Sequence, residues 1–288
     1  MDVAVGFVGA GSMGTPMVER LLSAGVPVTV HARRPESREH LERCGATVVA
    51  SVADAAAAAD VLIVCPFSED QLEEITRGPD GLLAHAAPGT VLVQHATVSV
   101  GGVVALADVA ARAGVTVLDA PISGTSDDIR RGELAVLVGG PQPALDAVAG
   151  TLGHYARALV HTGDAGSASA VKVVNNLAFG ANVQVAVAAV RLGEELGVAP
   201  AALLTAVQHC SADSRALRLL AASGNVDGFL SQIAPYLRKD LALVEVQARA
   251  AGADAAYLLD VVRVGPGPLG PAAPPASSPG HRAHSAPG

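Results

Sequence analysis

Short apolar runs alternate with longer amphipathic stretches along the first 163 residues. The apolar runs are rich in Val, Ile and Leu and are bounded by Gly, Pro or Asp, as is typical of buried strands. They occupy 3–9, 26–32, 47–50, 60–66, 89–96, 115–121, 133–140 and 156–163. Helical patterns lie between most of them, as at 13–25 and 35–45. This alternation predicts an α/β domain over 1–163, with a doubly wound parallel sheet between two layers of helices.

The strand signal ends after residue 163. Helical patterns then cover 167–197, 200–209, 213–222 and 231–251, which predicts a smaller all-helical domain over 164–263. The long helix at 167–197 is expected to act as a hinge and as a dimer surface. Residues 264–288 are Pro, Gly, Ser and Ala without apolar periodicity, so a disordered tail is predicted there.

The net charge and the cysteine content indicate which binding partners and which cellular compartment to expect. The net charge is −8 and no Lys/Arg-rich run is present, which argues against nucleic acid. The three cysteines, Cys44, Cys65 and Cys210, are scattered without metal-ligand spacing, which predicts a reduced, cytoplasmic protein and no metal site. An acid at position 2 argues against a signal peptide, and polar residues interrupt the longest apolar helix, so no membrane span is expected.

A glycine-rich turn follows the first predicted strand and opens the first helix. Its residues are Gly9, Ala10, Gly11, Ser12, Met13 and Gly14, the pattern G-x-G-x-x-G. In this context the glycines allow a tight turn and a close approach to a pyrophosphate, which the N–H groups of the helix start bind. The alternative is a glycine-rich turn without a ligand. The context favours a dinucleotide site.

The end of the second strand selects the dinucleotide. Arg33 and Arg34 stand there, and no acid occurs before Glu36. Guanidinium groups accommodate a 2′-phosphate, whereas an acid would bind the 2′-hydroxyl of NAD, so NADP is predicted over NAD. The alternative is that both arginines are only solvated in a loop.

Lys172 and Asn176 lie four residues apart, on one face of an otherwise small and apolar helix. Burial disfavours the charged form of a lysine and brings its pKa toward working pH, so Lys172 is a candidate proton carrier. The alternative is a surface lysine whose stem covers apolar neighbours. Ser123 and Gly124 follow the sixth strand, at the sheet edge where open α/β sheets bind ligands, although an ordinary turn has the same composition.

Four motifs together carry a family resemblance. They are GFVGAGSMG at the N-terminus, DAPISG at 119–124, GSASAVKVVNN at 166–176 and RKDLAL at 238–243. In this order and at these separations they resemble the β-hydroxyacid dehydrogenase family, which includes 3-hydroxyisobutyrate dehydrogenase and tartronate semialdehyde reductase. The resemblance extends from residue 3 to about residue 263.

This resemblance implies a Rossmann domain, a helical domain that forms a homodimer or homotetramer, and NAD(P)-dependent oxidation of a small 3-hydroxy acid. It assigns catalysis to Lys172 and Asn176. It assigns the substrate carboxylate to Ser123 and Gly124, and cofactor contacts to Pro66, Thr97 and Lys239. Thr125 completes the candidate substrate residues, and the turn residues Gly9, Gly11, Ser12, Met13 and Gly14 with Arg33 and Arg34 complete the candidate cofactor residues.

Two departures from the family pattern lie close to the expected substrate. Many members have Asp-x-Ser-Thr where this chain has residues 94–97, Gln-His-Ala-Thr, and Gly-Gly where it has Gly124 and Thr125. His95 has no counterpart role and is expected to be packed or solvent-facing. These departures leave the substrate itself open.

The predicted function is an NADP-preferring oxidoreductase that acts on a small 3-hydroxy acid or its semialdehyde. An imine reductase on the same scaffold is the enzymatic alternative, although such enzymes commonly carry Asp, Tyr or another residue in place of Lys172. A catalytically impaired NADP-binding protein is the non-enzymatic alternative.

Overall fold

A computed structural model describes residues 3–57, 59–267 and 269 of the chain. The strands are β1 (Val5–Val8), β2 (Val28–His31), β3 (Thr47–Val49), β4 (Val61–Val64), β5 (Val91–Gln94), β6 (Thr116–Asp119), β7 (Ile122–Ser123), β8 (Leu134–Gly139) and β9 (Ala156–Gly163). The first eight helices are α1 (Gly14–Ser23), α2 (Pro35–Arg43), α3 (Val52–Ala57), α4 (Glu69–Thr76), α5 (Leu82–His85), α6 (Val100–Arg112), α7 (Ser126–Arg130) and α8 (Gln142–Leu152). The others are α9 (Ser167–Glu195), α10 (Pro200–Val207), α11 (Arg215–Ser223), α12 (Val226–Ala251) and α13 (Ala256–Val264).

The strands form one sheet in the order β3-β2-β1-β4-β5-β6-β8-β7, with β9 paired to β8. Strands β1 to β6 are parallel, and the chain runs outward from β1 to β3 on one side and from β4 to β6 on the other. Strand β8 is antiparallel to β6 and β7, so the predicted parallel sheet has one antiparallel strand near its edge. Only the five-residue helix α7 lies between β7 and β8, and a parallel crossover needs a longer connection.

Both faces of the sheet are buried by helices. Alternate residues of each strand point to opposite faces, so one strand supplies both cores. One core contains Phe7, Met17, Leu21, Val30, Leu41, Ile63, Val93, Ile129 and Leu145. The other contains Val8, Leu62, Val64, Leu72, Leu82, Leu92, Val103 and Leu106. The predicted doubly wound Rossmann fold is therefore confirmed.

The chain divides into two compact units, of which the first comprises Met1–Asn176 and Leu243–Ala253. This unit therefore continues past residue 163 into the start of α9. The second unit comprises Leu177–Ala242 and the residues from Asp254 onward, and it is helical wherever regular structure is described.

Gln184 ties α9 to the end of α13 inside the second unit. Its amide nitrogen donates to Val262 O at 2.7 Å and to Gly267 O at 2.9 Å, and its oxygen accepts from Gly267 N at 2.7 Å. The described residues just beyond α13 are therefore held against α9. The rest of the predicted tail, residues 268 and 270–288, lies outside the described residues.

Helix α9 has the length and composition of a membrane-crossing helix, with a mean hydropathy of 1.5 in its most apolar window. However, 56% of that window is buried inside the protein, as expected for a core helix. Helix α12 begins five residues before the predicted start, at Val226, because the Asn225 side chain accepts from Gly228 N at 2.6 Å and caps it.

Candidate active site

The glycine-rich turn lies where the strand order reverses. Strands β1 and β4 are neighbours, and the chain leaves them toward opposite edges of the sheet, which makes their carboxyl ends a topological switch point. Gly9 follows β1 with φ +101°, and Pro66 is buried just after β4. Open α/β sheets bind ligands in the crevice at such a point, so the turn is in the position that a dinucleotide requires.

A side chain would meet different surroundings at each of the three glycines of the turn. A Cβ on Gly9 would lie 2.6 Å from Cys65 O, and one on Gly14 would collide with Gly9 O. A Cβ on Gly11 would meet no atom within 4 Å, so this position faces open space. Gly9 and Gly14 therefore allow the tight strand-to-helix packing, while Gly11 leaves room for a ligand to approach the backbone. Ser12 is exposed and Met13 half-buried beside it.

A cavity of about 420 Å³ lies beyond the end of β2, between the first turns of α1 and α2. Its lining residues are Thr15, Arg34, Glu36, Ser37 and His40. Arg34 and Arg33 are both exposed, and Arg34 is the one that lines the cavity. The cavity offers one guanidinium and two hydroxyls, groups that bind phosphate, beside one carboxylate.

Lys172 and Asn176 lie in the first unit, on the early turns of α9. Lys172 is half-buried, and Asn176 is buried with a residue exposure of 6%. The Asn176 Oδ1 accepts a hydrogen bond from Asn175 Nδ2 at 3.0 Å, which sets the orientation of the buried amide. The spacing of four residues places both side chains on one helix face, as the sequence predicts.

The start of α9 is fastened to the sheet by Asp119, the last residue of β6. Asp119 is fully buried; its Oδ2 accepts from Ser169 N at 2.7 Å and its Oδ1 from Ser169 Oγ at 2.8 Å. Burial raises the pKa of this carboxyl, while hydrogen bonds from Ser169 and from the Gly166 backbone act in the opposite direction. Asp119 thus holds the helix that carries Lys172 at the carboxyl edge of the sheet.

Sequence reasoning missed the role of Asp119 because its partner is 50 residues away. The available signal is an acid at the end of an apolar strand, where a buried carboxylate requires donors. The close approach of α9 to the sheet also depends on Gly139, since a Cβ there would lie 2.8 Å from Ser167 Oγ.

Residues 123–125 form the turn between β7 and α7. Ser123 is half-buried and pairs with Ala135 of β8, and Gly124 has φ +145°. Thr125 caps α7: its N–H and hydroxyl donate to Asp128 Oδ2 at 2.8 and 2.9 Å, and Asp128 N donates back to Thr125 Oγ1 at 3.2 Å. The Thr125 side chain therefore stabilises the turn that presents Ser123 and Gly124.

The segment after β5 carries Thr97, which is half-buried. His95, two residues earlier, is buried, which is the packed one of the two positions expected from the sequence. Its Nδ1 lies 2.6 Å from Ala120 O and its Nε2 lies 2.9 Å from Tyr155 Oη. Burial lowers the pKa of His95 to about 4, so the imidazole is neutral at pH 7. Gln94 is also fully buried, and its amide has no hydrogen-bond partner among the described residues.

Lys239 belongs to the second unit, on α12. Its Nζ lies 3.4 Å from Asp240 Oδ1, and the side chain is 32% exposed. Its contact with the cofactor stays a prediction.

The comparisons with known proteins cover both units. Residues 4–163 match the family described as the NAD binding domain of 6-phosphogluconate dehydrogenase, and residues 166–264 match that described as NAD-binding of NADP-dependent 3-hydroxyisobutyrate dehydrogenase. The 3-hydroxyisobutyrate dehydrogenase of Pseudomonas aeruginosa is 31% identical over 257 residues, 85% of each chain. The 2-(hydroxymethyl)glutarate dehydrogenase of Eubacterium barkeri is 31% identical over 75% of this chain and 72% of its own.

Among solved structures, the 3-hydroxyisobutyrate dehydrogenase of Mycobacterium tuberculosis with L-serine is 26% identical. It superposes with a TM-score of 0.80 over 92% of both chains. The resemblance carried by the four motifs is therefore confirmed. The chain belongs to the family of 3-hydroxyisobutyrate dehydrogenase-like enzymes, NAD(P)-dependent oxidoreductases that act on the CH–OH group of hydroxy acids.

Proposed function

We propose that this enzyme is an NADP-preferring dehydrogenase of a small 3-hydroxy acid, or a reductase of the corresponding semialdehyde, with Lys172 as general acid and base. The observation that carries the proposal is the half-buried Lys172 on a helix that Asp119 fastens to the carboxyl edge of the sheet. A proton carrier at that edge is on the side where the glycine-rich turn would hold a dinucleotide.

Hydride transfer, proton transfer and substrate binding are proposed for different groups. The nicotinamide cofactor supplies or accepts the hydride. Lys172 Nζ takes the proton of the substrate hydroxyl when the alcohol is oxidised and returns it when the carbonyl is reduced. The Asn176 amide orients the substrate oxygen or the lysine without adding charge. Ser123 Oγ and the N–H groups of the 123–124 turn bind the substrate carboxylate.

The cofactor is held by the turn at Gly9, Gly11, Ser12, Met13 and Gly14, with Pro66 beside the adenosine and Thr97 and Lys239 as further contacts. The open space above Gly11 fits a pyrophosphate against the backbone. Arg33 and Arg34 at the end of β2 favour the 2′-phosphate of NADP. The cavity lined by Arg34, Thr15 and Ser37 supports this preference over NAD.

Replacing Arg34 with serine is expected to lower the ratio of kcat/KM for NADPH over NADH about tenfold, because a charge-assisted hydrogen bond to a phosphate is worth about 1.5 kcal/mol or more. Steady-state kinetics with both cofactors measure the ratio. Arg43→Ser is the matched control, since Arg43 is exposed at the other end of α2 and does not line the cavity. An unchanged ratio in Arg34→Ser would contradict the assignment.

The experiment that tests the proposed function is an assay over a panel of hydroxy acids with NADP and NAD, next to the reduction of a cyclic imine with NADPH. The panel contains 3-hydroxyisobutyrate, 2-(hydroxymethyl)glutarate and a 2-hydroxy acid. Turnover confined to 3-hydroxy acids, with NADP preferred, is the expected result. Reduction of the imine alone would favour the imine reductase, and NADPH binding without any turnover would favour the impaired protein.

We also propose that the enzyme is a cytoplasmic homodimer or homotetramer. Val185 and Leu192 of α9 and Leu196, the residue that follows this helix, are exposed at 59%, 56% and 73%. Their spacings of seven and four residues align them on one face. A second copy of the chain would bury this stripe. Light scattering after gel filtration is expected to show a dimer or tetramer, and Leu192→Glu is expected to shift it toward monomer. A wild-type monomer at micromolar concentration would contradict the proposal.

A further inference from the structure

Three side chains with different ligand atoms meet between α1 and α2. Glu19 comes from α1, His40 from α2, and Cys44 is the residue that ends α2. Their carboxylate oxygen, imidazole nitrogen and sulfur atoms all lie within 4.8 Å of one another. We propose that Glu19, His40 and Cys44 form a zinc-binding site.

Glu19 and Cys44 both approach the same nitrogen of His40. Glu19 Oε1 lies 2.6 Å from His40 Nε2, and Cys44 Sγ lies 3.7 Å from the same nitrogen. One imidazole nitrogen carries at most one hydrogen. The Glu19 carboxylate and the Cys44 thiol therefore compete for one nitrogen, whereas a divalent cation would engage all three atoms.

The distances fit a tetrahedral zinc ion with a small movement of one side chain. Zn–S of about 2.3 Å and Zn–N of about 2.0 Å at a tetrahedral angle separate sulfur and nitrogen by roughly 3.5 Å. The Cys44–His40 distance of 3.7 Å already agrees with this value. Glu19 Oε1 would withdraw from 2.6 Å to roughly 3.3 Å. Its side chain is 32% exposed and has room for this movement.

The ligand set selects the class of metal. A thiolate with an imidazole and a carboxylate suits zinc, whereas magnesium and calcium take oxygen ligands. His40 and Cys44 are four residues apart, a spacing that puts both on one helix face. The three ligands leave a fourth position for water. Bound zinc would join α2 to α1, and His40 also lines the cavity that contains Arg34.

Titration of the full-length chain with Co²⁺ and then Zn²⁺ tests the proposal without reference to catalysis. The wild type is expected to show a near-ultraviolet thiolate-to-cobalt band that saturates at one equivalent and is abolished by Zn²⁺. Cys44→Ser is expected to lose the band, and His40→Ala to bind Zn²⁺ at least tenfold more weakly in competition with a chelator.

Cys210→Ser is the matched control, because Cys210 is another exposed cysteine and lies next to His209 in the second unit. It is expected to keep the band. Absence of a thiolate band in the wild type would overturn the proposal. Persistence of the band in Cys44→Ser would also overturn it. Circular dichroism checks that each variant is folded, as expected for substitutions at exposed or half-buried positions.

Discussion

Replacing Lys172 with alanine is expected to lower kcat by about three orders of magnitude and to leave the Kd for NADPH within about threefold of the wild type. Loss of a positioned general acid or base typically costs a factor of about 10²–10⁴. The binding of NADPH should persist because the proposed phosphate contacts come from the Gly9–Gly14 turn and from Arg34, far along the chain from α9. Single-turnover kinetics and a fluorescence titration with NADPH measure the two quantities.

Val174→Ala is the control for this variant. Val174 is on the same helix, two residues from Lys172, and its side chain is 64% exposed. It is expected to retain the wild-type kcat. The chain contains two lysines, so Lys172→Ala leaves Lys239 as the remaining candidate among lysines. A wild-type kcat in Lys172→Ala would refute the proposed mechanism.

Replacing Asp119 with asparagine is expected to lower kcat about a hundredfold. The substitution removes the carboxylate charge and replaces one acceptor oxygen with an NH₂ group, so the two hydrogen bonds at 2.7 and 2.8 Å cannot both be kept as they are. The Ser169 hydroxyl would have to turn and accept from the amide, and neither bond would be charge-assisted. The start of α9 would then shift against β6. A misplacement of about 1 Å away from the chemistry can cost about 10² in rate. We therefore propose Asp119 as a positioning residue for Lys172.

A control variant separates this positioning effect from a general loss of stability. Thr90→Val removes another buried hydrogen bond, from Thr90 Oγ1 to Ala59 O at 3.3 Å, at the amino end of β5. It is expected to lower Tm while kcat at 25 °C stays near the wild-type value. Ser169→Ala, which keeps the backbone hydrogen bond to Asp119, should lie between Asp119→Asn and the wild type in kcat. If Thr90→Val and Asp119→Asn had the same Tm and lost the same fraction of kcat, the positioning role would be contradicted.

The local pattern of apolar and polar residues was sufficient to predict most strands and helices of the first unit. The six parallel strands coincide with apolar runs, and the central strands β1 and β4 are buried at every position, as strands covered on both faces require. The two-residue strand β7 and the antiparallel direction of β8 were not predicted. A strand of two residues is too short to form an apolar run, and the short connection before β8 indicates its direction only once β7 is known.

Local spacing also identified the candidate site residues that lie within a few positions of one another. The Gly9–Gly14 turn and the Lys172–Asn176 pair are of this kind. By contrast, the sequence left His95 as either packed or solvent-facing. Its contact with Tyr155, 60 residues away, places it in the core and makes it neutral at pH 7.

The sequence by itself determined most strands and helices of the first unit, the Gly9–Gly14 turn and the Lys172–Asn176 pair, because these depend on periodicity and on spacings shorter than two helical turns. The family resemblance came from four motifs spread along the chain. Only the tertiary structure decided that Asp119 holds the start of α9 and that Glu19 meets His40 and Cys44. The partners in these contacts are up to 50 residues apart. The packing of the helices on the sheet decides which distant polar residues come into contact. No short stretch of sequence encodes that packing.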